Sequence, residues 1–142
     1  MREILFRGKC VDSGEWVYGN LIEDKWGDDN GNTIYAILQD RVAPGIVELW
    51  TPVRVIPETV GQYTGLTDKN GKKIFEGDIC GCFCNTQIFE VKYCKERCGY
   101  FLDDCVRSGD CEPAPECLGN LRNTMEVIGT IYDNPELLEA KE

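Results

Sequence analysis

The chain has no histidine, and serine occurs only at Ser13 and Ser108. Without an imidazole there is no Ser-His or Cys-His pair to activate a nucleophile, and both serines fall in turn-like segments. There is no phosphate-cradling loop either, because Gly65 to Gly71 lacks the Gly-Lys-Ser/Thr ending and the helix that should follow it. No apolar run approaches the roughly 20 residues that cross a bilayer, and the N-terminus lacks the charged, apolar, small order of a secretory signal. A cytoplasmic protein with no membrane partner is expected. Positive charge is scarce as well: 15 Lys and Arg stand against 25 Asp and Glu, a formal net charge of −10. Such a surface repels phosphate backbones over a Debye length of roughly 10 Å, so nucleic acid is not an expected partner.

The exception to the acidic balance is Lys69, Lys72 and Lys73, beside Asp68 and Glu76. On a hairpin loop these lysines keep the tip soluble and block edge pairing. Adjacent carboxylates such as Asp28 with Asp29, or Asp103 with Asp104, diverge on a strand and do not converge on one substrate atom. The loop Glu23 to Asn32 is acidic, but its register lacks the glycine at the sixth position and the distant glutamate of a calcium loop. It reads as a solvated loop.

Cysteine is abundant where histidine is absent. Eight of the nine cysteines lie between Cys80 and Cys117, an odd total that does not suit a secreted disulfide scaffold. The run Cys80-x-Cys82-x-Cys84 continues with Cys94, Cys98, Cys105, Cys111 and Cys117, and no Cys-x-x-Cys pair occurs. Structural zinc sites draw on such close pairs, so packing of small apolar side chains is the first reading of Cys80, Cys82 and Cys84, and a thiolate metal site the alternative. Thiols near Lys92, Lys95 and Arg97 are candidates for a lowered pKa, though none has a base beside it. No residue is assigned a catalytic, cofactor-binding or metal-binding role, and no cofactor is expected.

A length of 142 residues with 42% hydrophobic content builds one compact domain, or two small β lobes at about 1–56 and 57–142. Short strands separated by turn signals fill most of the chain. Residues 2–11 and 16–22 flank a hairpin loop at Asp12-Ser13-Gly14, and a strand follows at 33–38. Ala43-Pro44-Gly45 leads to a segment at 46–56, in which Pro52 restricts pairing to an edge or a bulge. A second hairpin centres on Asp68-Lys69-Asn70-Gly71, with Asp68 capping its own turn and Gly71 in the left-handed region. Ile88 to Cys94 alternates, placing Phe89, Val91 and Tyr93 on one face. Residues 99–102 continue the sheet, 103–122 form a Cys-, Pro- and acid-rich insert, and 124–132 return to strand with Met125, Val127, Gly129 and Ile131 on one face. Asn134 and Pro135 are placed to cap and open a short helix.

The aromatic residues, among them Trp16, Tyr18, Trp50, Tyr63, Phe75, Tyr93, Tyr100 and Phe101, are spread over the strands and are expected mostly in the core. Trp26 stands apart in its acidic loop, and is the candidate contact residue or else docks over the sheet.

Three segments together carry a family resemblance. They are Gln62-Tyr63-Thr64-Gly65-Leu66-Thr67-Asp68-Lys69-Asn70-Gly71-Lys72-Lys73-Ile74-Phe75-Glu76-Gly77-Asp78-Ile79, Arg2-Glu3-Ile4-Leu5-Phe6-Arg7, and Met125 to Leu138. The chain resembles the YopX-like proteins of phages and prophages, with the greatest departure between Cys80 and Arg122. The resemblance implies an accessory protein of a bacterial host cytoplasm and brings no reaction with it. The fold expected is mainly β, short antiparallel strands in a twisted sheet or a partly closed SH3-like barrel, with a short C-terminal helix. The expected role is contact with another protein or a second copy of the chain, with a Cys-rich metal module or an acidic mimic of nucleic acid as alternatives, and no enzymatic activity.

Overall fold

The computed structural model describes residues 3–39, 52–82, 88–95, 99–104 and 125–139. The chain divides into two compact units, Met1–Gln62 and Tyr63–Glu142. All strand pairs are antiparallel, and among the described residues the sheets stay open, so the fold is the twisted-sheet form of the two expected.

In the first unit β1 (Phe6–Lys9), β2 (Trp16–Asp24), β3 (Ile34–Gln39) and β4 (Val53–Arg54) lie in the order β4-β3-β2-β1. The first residues of β5 (Gly61–Thr67) continue the ladder, with Gly61 opposite Arg7 and Gln62 opposite Phe6. Period-two alternation decides what is buried. Val17 and Leu21 of β2 turn inward, and Leu21 sits opposite Ile37, while Tyr18, Asn20, Ile22 and Asp24 face outward. Val17, Ile37 and Val55 form the buried centre, packed by Phe6, Leu21, Tyr35, Val53 and Val60. Directly after Pro52, β4 is only two residues long and lies at the sheet edge, as a residue lacking an N–H requires. A 3-10 turn at Pro57–Thr59 ties the unit together: the Thr59 hydroxyl accepts the Lys9 N–H at 2.9 Å and donates to the Ile56 carbonyl at 2.7 Å.

In the second unit the remainder of β5 pairs with β6 (Lys73–Phe75). A four-stranded sheet has the order β10-β7-β8-β9, formed by β7 (Asp78–Cys82), β8 (Ile88–Cys94), β9 (Gly99–Asp104) and β10 (Met125–Thr130). Ile74, Cys80, Val91, Met125 and Val127 are its buried centre, with Leu66, Phe89 and Tyr100 against them. The helix α1 (Glu136–Glu139) is a single turn.

Four expectations change. A bulge between Val127 and Gly129 shifts the register of β10, so Gly129 joins the face opposite to Met125 and Val127. Asn134 does not cap the helix with its side chain. Its Oδ1 accepts the Thr130 N–H at 3.3 Å, while its carbonyl takes the Leu137 N–H at 3.1 Å, and α1 starts one residue after Pro135. Asp103 and Asp104 belong to β9 and not to the insert. The aromatic residues are less buried than expected: Tyr63 and Phe75 are core, but Tyr18 and Tyr93 are exposed. The Ala43-Pro44-Gly45 turn, Trp50, most of the 46–56 strand and the rest of the insert lie outside the described residues.

One edge of the second sheet is closed by groups that are not strands. Along the side of β10 away from β7, the Met125 carbonyl accepts the Lys69 N–H at 3.1 Å and the Val127 N–H donates to Asp68 Oδ2 at 3.0 Å. Further along, the Thr130 carbonyl accepts the Asn134 N–H at 2.8 Å. These contacts occupy ladder positions that another strand would need.

Candidate functional site

One turn is built twice. The segments Asp28-Asp29-Asn30-Gly31-Asn32 and Asp68-Lys69-Asn70-Gly71-Lys72 share an Asp-x-Asn-Gly spacing and fold alike. In the first, Asp28 Oδ1 accepts the N–H groups of Asn30 at 2.9 Å and Asn32 at 3.0 Å, and the Asp28 carbonyl takes the Gly31 N–H. In the second, Asp68 Oδ1 accepts Asn70 at 2.8 Å and Lys72 at 2.9 Å, and its carbonyl takes the Gly71 N–H. Gly31 and Gly71 both sit at positive φ, 79° and 81°, which closes the turn without a Cβ penalty. The repeat was present in the sequence, where the spacing of Asp, Asn and Gly is its signal, but only the second copy reads as a hairpin turn.

The two copies differ in what their second carboxylate oxygen does. Asp68 is only 6% exposed, and its Oδ2 reaches the Val127 amide 59 residues away, so the turn braces a sheet. Burial pushes the Asp68 carboxyl up, but the N–H groups of Val127, Lys72 and Asn70 outweigh this and hold it below the usual range. Asp28 Oδ2 accepts the Asn32 side-chain amide at 3.2 Å and lies 3.9 Å from Arg54. Hydrogen bonds from Asn32 lower the Asp28 pKa. Both of its oxygens accept hydrogen bonds from within the loop, and Arg54 of β4 adds a distant charge.

The first turn has a different neighbour. Trp26 is 95% exposed and stands two residues before Asp28, where the Asp24 carboxylate accepts the Trp26 N–H at 3.0 Å. Of the two expected placements, docking over the sheet is ruled out by this exposure. Backbone order at Asp24 and Asp28 thus brackets a solvent-facing indole, an arrangement that limits the entropy lost when the ring is covered. On the preceding strand, Tyr18 and Ile22 are also exposed and share the outward face of β2.

The two cysteines whose side chains are described, Cys10 and Cys80, differ in kind. Cys80 is fully buried in the core of the second unit, and burial, with the nearby Asp78 charge, pushes its thiol up to about 12. It packs as an apolar side chain. Cys10, outside the Cys-rich segment, is the described thiol whose pKa is lowered, by hydrogen bonds from the Ser13 N–H and hydroxyl and the Asp12 N–H and not by a lysine. Cys84, Cys98, Cys105, Cys111 and Cys117 lie outside the described residues. Native protein treated with a thiol reagent near pH 7.5 is expected to label Cys10 well before Cys80, and to leave Cys80 unmodified until unfolding. Peptide mapping of the modified chain checks this, and early labelling of Cys80 would contradict its burial.

Two of the three clustered lysines face their own unit. Lys69 Nζ lies 4.0 Å from Glu126, and Lys73 Nζ lies 5.4 Å from the centre of the Tyr63 ring. Among the described residues no three Cys, Asp or Glu side chains gather as a metal site, and no helix is long and apolar enough to cross a membrane.

Comparison with known proteins finds a family model and similar solved structures. A family model described as YopX protein covers residues 5–139. The chain is also similar to a solved structure, the crystal structure of protein EF1440 from Enterococcus faecalis, at 27% identity and a TM-score of 0.60, over 97% of this chain and 99% of that one. No curated protein matches.

Proposed function

Since this chain belongs to the YopX family, we propose that it is an accessory protein of a phage or prophage, acting in the host cytoplasm by contact with another protein through the Trp26 loop. The observation that carries this reading is a 95% exposed tryptophan on a loop already held by Asp24 and Asp28. Tryptophan is among the residues that concentrate binding energy at interfaces, and an indole left in water costs solvation that a partner recovers. The net charge of −10, and the engagement of Lys69 and Lys73 inside their own unit, support a protein partner over nucleic acid.

The test is affinity purification from the producing cells, with wild-type chain and Trp26→Ala compared by mass spectrometry. Because the ring makes so little contact, Trp26→Ala is expected to change stability by less than about 0.5 kcal/mol. It should nevertheless lose the specific partner. A partner captured equally by both chains would remove Trp26 from the interface and overturn the reading.

A further inference from the structure

We propose that the segment seated on the Trp26 loop is a basic one, an extended stretch of a protein partner rich in arginine or lysine. The inference rests on the contact reading above and adds the chemistry of the occupant. The charge flanking Trp26 in the loop is mostly negative, although Arg54 lies 3.9 Å from Asp28. Glu23, Asp24, Asp28 and Asp29 lie within three residues of Trp26, against the single cation Lys25, and Glu23, Asp24 and Asp29 are exposed. An acidic segment approaching the ring meets like charge from both sides, whereas a cation meets the electron-rich ring face and the carboxylates together.

The same unit holds an internal example of that contact. The Arg7 guanidinium carbon lies 4.5 Å from the centre of the Trp16 ring, and Lys9 Nζ lies 5.4 Å from it. Trp16 is therefore served by cations of its own chain, while the Trp26 ring is presented to solvent. The outward face of β2 extends the surface. Tyr18 and Ile22 are four residues apart on one face, roughly 13 Å along the strand at about 3.3 Å per residue, and lead toward the loop. An occupant of roughly eight extended residues, cationic where it meets Trp26 and with short apolar contacts along β2, matches this length and charge.

The experiment uses the full chain and three fluorescein-labelled octapeptides of alternating sequence, Gly-Arg, Gly-Lys and Gly-Glu, followed by anisotropy at two salt concentrations. The Gly-Arg and Gly-Lys peptides are expected to bind and the Gly-Glu peptide not to. Trp26→Ala should weaken the Gly-Arg peptide by roughly tenfold or more with an unchanged circular dichroism spectrum, and the pair Glu23→Gln with Asp29→Asn should weaken it about threefold and reduce its salt dependence. Asp24 and Asp28 are left in place because they hold the loop. Binding of basic peptides that is indifferent to Trp26→Ala would show only attraction to the acidic surface as a whole, and would overturn the proposal. So would the absence of any peptide binding, or tight binding of the Gly-Glu peptide. If the cellular partner depends on Trp26 but the basic peptides do not bind, the chemistry proposed here fails while the contact reading stands. If neither depends on Trp26, both fail.

Discussion

Asp68→Ala is expected to destabilise the second unit by about 3 kcal/mol. The carboxylate satisfies three backbone N–H groups at 2.8, 2.9 and 3.0 Å, those of Asn70, Lys72 and Val127. Asn70 and Lys72 lie on an exposed loop, where water replaces the lost acceptor. Val127 is buried in the β10 ladder, so its N–H is left without that acceptor and carries most of the cost. Urea unfolding measures the loss, and hydrogen exchange at the Val127 amide locates it. An unchanged midpoint with a fully protected Val127 amide would show that the brace is dispensable. The effect has a definite pH sign. The folded pKa of Asp68 is lowered, so its contribution is fully present above the unfolded value of about 4 and is lost as pH falls through the folded value beneath it. The gap between wild type and Asp68→Ala should therefore be constant near neutrality and narrow below about pH 4.

Gly19→Ala is expected to cost the first unit about 3 kcal/mol, by a mechanism of a different kind. Gly19 stands between two ladders, opposite Phe6 on β1 and Gln39 on β3. A Cβ at this position would run into the backbone carbonyl of Leu38, and its φ of 158° is one that L side chains rarely adopt, so both effects oppose the substitution. A flexible side chain can move aside, but a carbonyl fixed in a sheet cannot without parting β2 from β3. Thermal unfolding of the variant, with amide exchange across β2 and β3, provides the check. A variant with wild-type midpoint and protection would mean that the strands separate slightly at no cost, contrary to the packing shown.

Much of the fold was legible in local pattern. Strand β8 was placed from the alternation of Phe89, Val91 and Tyr93, and both hairpin loops from glycine and aspartate chemistry, because these signals act over a few residues. Trp26 could be singled out because an indole among carboxylates has no local reason to be buried. What failed depended on distant partners. The bulge that turns Gly129 away from Val127 is set by pairing with β7, and the Asn134 side chain turns back to Thr130 because Gly129 leaves room for it; a Cβ there would lie 2.5 Å from Asn134 Oδ1. The lowered Cys10 thiol is by contrast a local effect, set by hydrogen bonds from the tight hairpin turn at Asp12 and Ser13.

The sequence by itself determined the acidic balance, the mainly β character and the turn sites, since each follows from composition or from contacts within a few residues, and its three motif segments carried the family resemblance. Only the tertiary structure decided that one Asp-x-Asn-Gly turn braces a buried strand while its twin follows an exposed tryptophan. Both turns close through the same local hydrogen bonds. Their roles diverge because Asp68 Oδ2 meets an amide 59 residues away and Asp28 Oδ2 meets the side chain of its own loop, a difference of long-range position that no local pattern encodes.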